Sequence, residues 1–308
     1  MHSSNSTDRL DRALLSLEGL SCGDALGECF YLPKSELVGK IEGRILAPPP
    51  WLVTDDTMMA ISVVESLRVH GRIVEDWLAE HFAAMYDIER SYGAAMCGLL
   101  GRIRVRGGEF WREESTALFD GRGSYGNGAA MRAAPLGAFF ADNFEAVMEQ
   151  AERSAVTTHA HSEAVAGAIA VALGAAFAWR TRSETPPSLE EFLEAVQALT
   201  PESAVRAGIK KAIQLGETAT VEEAAAALGN GWNITAMDTV PFVLWCAGRW
   251  MVDYEEAIWQ TVSAGGDKDT TCAMVGGIVV LRAGLDGIPE EWRRRREPLA
   301  PLFGVHEI

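Results

Sequence analysis

Positive charge is scarce in this 308-residue chain: 27 Lys and Arg stand against 43 Asp and Glu, a formal net charge of −16. That deficit excludes a broad basic face for bulk nucleic acid or anionic lipid. An anionic ligand would need a local device: a cation, a helix N-terminus or a glycine-rich turn. Cysteine is sparse too. Cys22, Cys29, Cys97, Cys246 and Cys272 form no C-x-x-C pair, are odd in number and sit in apolar surroundings. They read as reduced, buried thiols of a cytosolic protein. The longest uncharged stretch, Ala164 to Trp179, is shorter than the ~20 residues of a membrane span and rich in Ala and Gly. It reads as a buried helix. Asp8, Arg9, Asp11 and Arg12 precede the first apolar residues, which is not a signal-peptide layout. A soluble, cytoplasmic protein with no membrane partner is expected. With 48% hydrophobic and 23% charged residues the composition is that of a globular protein rather than a disordered one.

Alternating strands are absent as well, and Asn127-Gly128 and Asn230-Gly231 lie between helix-like segments instead of β-branched runs. What is periodic has a helical period. Leu10, Leu14, Leu17 and Leu20 open a first helix; Met58, Ile61, Val64 and Leu67 carry a second. Further helices are predicted over Val74–Ile88, Tyr92–Ile103, Asn143–Ala155, Glu163–Trp179, Leu189–Leu199, Glu202–Leu215, Val221–Leu228, Thr235–Trp250, Glu255–Ala264 and Asp269–Leu285. Thr200-Pro201-Glu202 and Ser188-Leu189-Glu190-Glu191 look like start signals. Thr181–Pro187 and Gly121–Gly128 are the clearest loops. The expectation is a single all-α domain over 1–308, with 1–7 a flexible N-terminus and helices packed around an Ala/Gly-rich centre.

Two acidic motifs each open an apolar helix. Thr54-Asp55-Asp56-Thr57 precedes Met58, and Gly265-Gly266-Asp267-Lys268-Asp269-Thr270-Thr271 precedes Cys272. Helix capping explains one such side chain, not four in a row. The alternative is a cation site. Both motifs offer carboxylates and a Thr hydroxyl without His or Cys, a hard-oxygen set suited to Mg²⁺, Mn²⁺ or Ca²⁺ rather than zinc. The later bidentate Glu of an EF-hand loop is missing. If the motifs converge, they supply four carboxylates and two hydroxyls, enough for two cations.

Gly121-Arg122-Gly123-Ser124-Tyr125-Gly126-Asn127-Gly128 leads into Ala129-Ala130-Met131-Arg132. Such a turn aims backbone N–H groups at an anion, or is simply a surface turn. Phe119, Tyr125 and Trp232 are candidate stacking platforms, with core packing the alternative. In Thr157-Thr158-His159-Ala160-His161 the two histidines point to different helical faces, against a His–metal pair but compatible with one of them binding a ligand hydroxyl or phosphate. The Arg293-Arg294-Arg295-Arg296 run reads as a solvated helix face.

As a set, Gly23-Asp24-Ala25-Leu26-Gly27, Thr54-Asp55-Asp56-Thr57, the Gly-Ser-Tyr-Gly-Asn-Gly loop with Met131-Arg132, Thr158-His159 and Gly265-Gly266-Asp267-Lys268-Asp269-Thr270 resemble the ADP-ribosylglycohydrolases, in the order seen there. Tyr92-Gly93-Ala94, Phe119 to Asn127 and Leu228 to Gly231 look closest to the branch that hydrolyses serine-linked and related O-linked ADP-ribose. The resemblance implies an all-α fold and a hydrolase, expected here as a monomer, acting on ADP-ribosylated protein or an ADP-ribose conjugate. It implies two Mg²⁺ ions, sometimes Mn²⁺, held by Thr54, Asp55, Asp56, Asp267, Asp269 and Thr270, over which the distal ribose sits beside Asp55. Arg122, Gly123, Ser124, Tyr125, Gly126, Asn127 and Gly128 would cradle the diphosphate near His159, and Phe119, Tyr125 and Trp232 would line the ribose and adenine sites. Many members carry a Glu eight residues after the first Gly of Gly-Asp-x-x-Gly; here that position is Tyr31, and Glu28 is the expected replacement. Glu28, Asp56 and Asp267 are the expected catalytic carboxylates. Hydrolysis of free or nucleic-acid-linked conjugates such as the O-acetyl ester, and ADP-ribose binding without turnover, are the rival expectations.

Overall fold

The computed structural model describes residues 6–303. Hydroxyl and Asx caps decide where many of its helices begin. In chain order these are α1 (Ser6–Glu28), α2 (Lys34–Glu42), α3 (Asp55–His70), α4 (Glu75–Met85), α5 (Ala94–Arg106), α6 (Trp111–Gly121), α7 (Ala134–Phe139) and α8 (Phe144–Val156). The chain continues through α9 (Ser162–Arg180), α10 (Leu189–Leu199), α11 (Ala204–Leu215), α12 (Val221–Leu228), α13 (Ala236–Arg249), α14 (Tyr254–Ser263), α15 (Lys268–Ala283) and α16 (Glu290–Arg295). Ser188 and Thr220 form reciprocal capping boxes with Glu191 and Glu223. Thr235 and Asp253 cap α13 and α14. Among the described residues there is no strand, only two isolated bridges, Trp51 with Arg296 and Gly126 with Thr235. The fold is one all-α domain.

Helix α9 is the core helix that the Ala/Gly run implies: from Ala166 to Ala176 it is buried all round. It is also the only described helix long and apolar enough to cross a membrane. Small residues there let α7, α8 and α13 approach closely; a methyl group on Gly137 would lie 2.0 Å from the Ala172 carbonyl oxygen.

Several expectations shift. Of the flexible N-terminus placed at 1–7, residues 1–5 lie outside the described residues, while Ser6 and Thr7 already belong to α1. The expected start at Thr200-Pro201-Glu202 moves to Ser203, whose hydroxyl accepts from Arg206 N; the Thr200 hydroxyl instead donates back to Val196 O at 2.8 Å. Helices α2, α6 and α7 had no periodic apolar signature. Helix α6 is broken at Leu118, and Phe119 and Asp120 take left-handed φ values of 53° and 59°. The arginine run is not a solvated face as a whole. Arg294 is exposed, but Arg296 is buried and pairs with Glu18 at 2.8 Å. All five cysteines are free thiols, three of them buried.

Candidate active site

The site begins with a stripe of glycines. Gly19, Gly23 and Gly27 recur every fourth residue on α1 and face α15. A methyl group on Gly23 would lie 2.2 Å from the Cys272 carbonyl oxygen, and one on Gly27 2.4 Å from that of Lys268. The backbones of the two helices therefore touch, and Asp24 is carried against Asp269 across most of the chain length. Asp24 is fully buried. Its carboxylate accepts from Thr54 N (3.0 Å), Thr54 Oγ1 (2.8 Å), Thr57 N (3.3 Å) and Thr57 Oγ1, and so pins the start of α3.

Oxygen atoms of Asp24, Asp56 and Asp269 lie within 4.8 Å of one another, all three residues buried. Thr270 Oγ1 reaches Asp56 Oδ2 at 3.2 Å, across 214 positions of sequence. The two acidic motifs therefore converge. Burial, and then the neighbouring Asp269 charge, push Asp55 and Asp56 well above the usual carboxylate range. Burial chiefly, with Asp269 adding to it, holds Asp24 and Asp267 up at about 7. Asp56 Oδ1 is buried without a hydrogen-bond partner among the described residues. A buried cluster of like charges with an orphaned carboxylate oxygen is expensive as it stands and fits a hard divalent cation. Asp24, Asp56 and Asp269, with Thr54 and Thr270 beside them, are the residues that would hold it.

Above the cluster opens a cleft of about 390 Å³. Asp55, Asp267, Asp269 and Thr270 contribute to its lining, as do Phe119, Ser124, Tyr125, Gly126, Asn127, Gly128 and His159. Asn127 Nδ2 donates to Asp267 Oδ2 at 2.7 Å and so links the glycine loop to the acidic cluster. The loop is pinned from behind: Ala236 N donates to Tyr125 O at 3.0 Å and Asn127 N to Ile234 O at 3.3 Å. Phe119 and Tyr125 stack with ring centroids 6.0 Å apart. His159 is buried, and burial followed by the Arg132 cation pulls its pKa down to about 3, so its ring is neutral.

Three residues expected to contact the ligand are not part of this lining. Arg122 is exposed beside Asp120, and Gly123 backs onto Ala160 and His161; neither lines the cleft. Trp232 is 79% exposed and also outside the lining, although its neighbours Asn233 and Ile234 are part of it. The Tyr31 hydroxyl lies 2.7 Å from Asp269 Oδ1 and 3.2 Å from Asp267 Oδ1, and accepts from Lys268 N at 3.1 Å. Glu28, at the end of α1, instead meets Ser91 Oγ on the cleft rim at 3.5 Å, and burial raises its pKa.

A model of the family described as ADP-ribosylglycohydrolase matches residues 5–304. The chain belongs to the ADP-ribosylglycohydrolase family. It is a hydrolase of glycosidic bonds. Among its relatives, the ADP-ribosylhydrolase ARH3 of Homo sapiens is 31% identical over 272 residues, covering 79% of this chain and 74% of the relative. An ADP-ribosylarginine hydrolase, Tri1 of Pseudomonas putida, is 25% identical over 92% of this chain and 73% of its own. A solved structure titled ADP-ribosylglycohydrolase-related protein complex superposes with a TM-score of 0.60 at 26% identity, covering 96% of each chain.

Within this family member, sequence reasoning passed over Asp24, Thr57, Tyr31 and Arg132 as site residues. Asp24 had two usable signals: its place in the Gly-Asp-x-x-Gly motif, and the glycine at every fourth residue around it, which marks a helix face too close to its neighbour for any side chain. Arg132 stood in the Met131-Arg132 motif, but the burial that gives it a role cannot be read from its neighbours in sequence.

Proposed function

We propose that the protein removes ADP-ribose from modified protein side chains, serine-type O-linkages first, by hydrolysing the bond at the anomeric carbon of the distal ribose, with two Mg²⁺ ions, or Mn²⁺, at the cleft floor. The reading rests above all on the convergence of Asp24, Asp56 and Asp269 beneath a cleft walled by a glycine loop and a pair of aromatic rings. When bound, such cations orient sugar hydroxyls and lower the pKa of water.

The chain's own residues supply the rest. Phe119 and Tyr125 give a flat face for adenine, and neutral His159 with loop N–H groups other than those of Gly126 and Asn127, which donate to Ser124 Oγ and Ile234 O, offers hydrogen bonds to the diphosphate without calling on a basic surface. Cleavage builds positive charge on the ribose ring, which the surrounding carboxylates stabilise. Water adds to the anomeric carbon as the acceptor oxygen departs with a proton. Glu28, Asp56 and Asp267 handle the protons, and the raised pKa of Glu28 at the rim suits it to accept one from the attacking water.

With an ADP-ribosylserine peptide, release of ADP-ribose is expected in Mg²⁺, none in EDTA, and a loss on the order of 100-fold or more in Asp267→Asn. Arginine-linked, O-acetyl and nucleic-acid-linked ADP-ribose, run in parallel, define the linkage. Tyr31, at the position where many members carry Glu, favours a second reading, ADP-ribose binding without turnover; tight binding with no release from any substrate would establish it. Tyr125→Ala should weaken ADP-ribose binding by roughly tenfold through lost stacking, measured by calorimetry, with the circular dichroism spectrum unchanged.

A further inference from the structure

Arg132 is a fully buried arginine near the cleft with no carboxylate in contact among the described residues. Its guanidinium sits 4.6 Å from the Phe82 ring centroid and donates to four oxygens: Gly128 O at 2.9 Å, Ser154 O at 2.7 Å, Thr158 Oγ1 at 2.9 Å and, from Nε, Ser154 Oγ at 3.4 Å. Thr158, buried as well, lies 2.7 Å from His159 Nδ1.

The donor and acceptor inventory orders these contacts. A guanidinium only donates, so Thr158 Oγ1 accepts from Arg132. The Thr158 hydroxyl proton is then left with one partner among the described residues, His159 Nδ1. The reverse arrangement, Nδ1–H donating to Thr158, would leave a buried hydroxyl proton without an acceptor among the described residues, which is the costlier state. Nδ1 therefore accepts, and the proton of the neutral ring resides on Nε2. That nitrogen faces the glycine loop. A methyl group on Gly128 would lie 2.9 Å from it and one on Gly126 3.3 Å, so these glycines leave the imidazole edge open to the cleft.

We propose that Arg132 and Thr158 form a positioning relay that fixes His159 as its Nε2–H tautomer, turning an N–H donor toward the anionic part of the ligand in the cleft. The same guanidinium holds the Gly128 carbonyl, so the loop and the histidine are set against each other by one group. Which anion is recognised, the diphosphate, rests on the functional reading above; the relay itself is a property of the ligand-free chain.

The test is ¹⁵N-resolved NMR of the histidine side chains in the full-length protein, with His159→Asn used for assignment, alongside calorimetric titration with ADP-ribose. The wild type should show a protonated-type resonance at Nε2 and an unprotonated one at Nδ1. Thr158→Val should populate the Nδ1–H form and weaken ADP-ribose binding by about tenfold, while the Mg²⁺-induced rise in Tm stays at its wild-type size. Thr158→Ser should restore both signals. A wild-type ring protonated at Nδ1 or at both nitrogens overturns the relay, whatever the variants do. So does a folded Thr158→Val with wild-type spectrum and affinity. A ring protonated at Nε2 in a chain that ignores ADP-ribose upholds the relay and overturns the functional reading.

Discussion

Stripped of divalent cations, the protein should become less stable as pH rises from 5 to 8, and Asp56→Asn should raise the Tm in EDTA while removing turnover. The direction follows from the buried acids. Asp24 and Asp267 titrate at about 7 in the folded chain, against a carboxylate's ordinary value near 4. Between those values the native state keeps protons that the unfolded state has released, so unfolding releases protons and rising pH favours it. The stability is complete below about pH 4 and is lost as the pH passes through 7. A loss on the order of 5–10 °C between pH 5 and 8 is expected, and it should flatten in millimolar Mg²⁺, which neutralises the same charges. Asp56→Asn keeps the shape and removes one charge. The asparagine oxygen can still accept at the Oδ2 position from the Thr270 hydroxyl, and its amide replaces the orphaned Oδ1 with a donor among carboxylates. The variant in EDTA should therefore melt several degrees above wild type at pH 8, on the order of 5 °C. It should also lose the Mg²⁺-induced rise in Tm, and lose activity by more than the roughly 10–100-fold that removing an outer-shell partner costs. A metal-stripped wild type that gains stability with pH, or an Asp56→Asn that responds to Mg²⁺ as wild type does, would refute the assignment of this cluster to a cation.

The parts of this site that were legible in the sequence are those with a local chemical excess. Four capping-type side chains in a row at Thr54–Thr57 exceed what a helix start uses, and Asp267 and Asp269 flank a lysine where one acid would do. Asp24 carries no such excess. It has no acidic or hydroxyl residue directly beside it in α1, and only the approach of α15 over Gly23 makes it part of the cluster. Tyr31 and Glu28 show a similar limit from the other side. Which of the two turns toward Asp269 depends on how α1 ends, where Cys29, Phe30 and Tyr31 donate back to Leu26, Gly27 and Glu28. That is three-dimensional information. Trp232 was singled out for its size beside a glycine turn, yet that turn uses Gly231 to bring its backbone up to Asp267, where a methyl group would lie 2.5 Å from Cβ. The ring is left facing out. Long helices were readable because their apolar period repeats; α2, α6 and α7 are short or broken, and tertiary packing decides them.

Gly23→Ala should be among the most damaging single-methyl changes in the chain. Alanine is ordinarily the better helix residue by about 1 kcal/mol, and Gly101, in α5 with nothing within 4 Å of a built methyl group, supplies the contrast. Gly101→Ala should raise stability by up to about 1 kcal/mol. At Gly23 the added carbon falls 2.2 Å from the Cys272 carbonyl oxygen and 2.7 Å from its carbonyl carbon. Those are backbone atoms in the middle of a helix, so no rotamer change relieves the overlap and α1 must move away from α15. Overpacking of a core side chain costs typically 1–3 kcal/mol; with two helix backbones forced apart the loss should reach or exceed the top of that range, read as a fall in urea midpoint at unchanged m-value. The displacement acts on the residue next in sequence. Asp24 holds both Thr54 and Thr57 and stands within ligand distance of Asp56 and Asp269, so a shift of under an ångström is enough to disperse the cluster. Under conditions where Gly23→Ala remains folded by circular dichroism, its Mg²⁺-induced rise in Tm should be lost together with activity. If the variant instead keeps wild-type stability and cation response, then the contact between α1 and α15 is looser than described and is not what sets the geometry of the acidic floor.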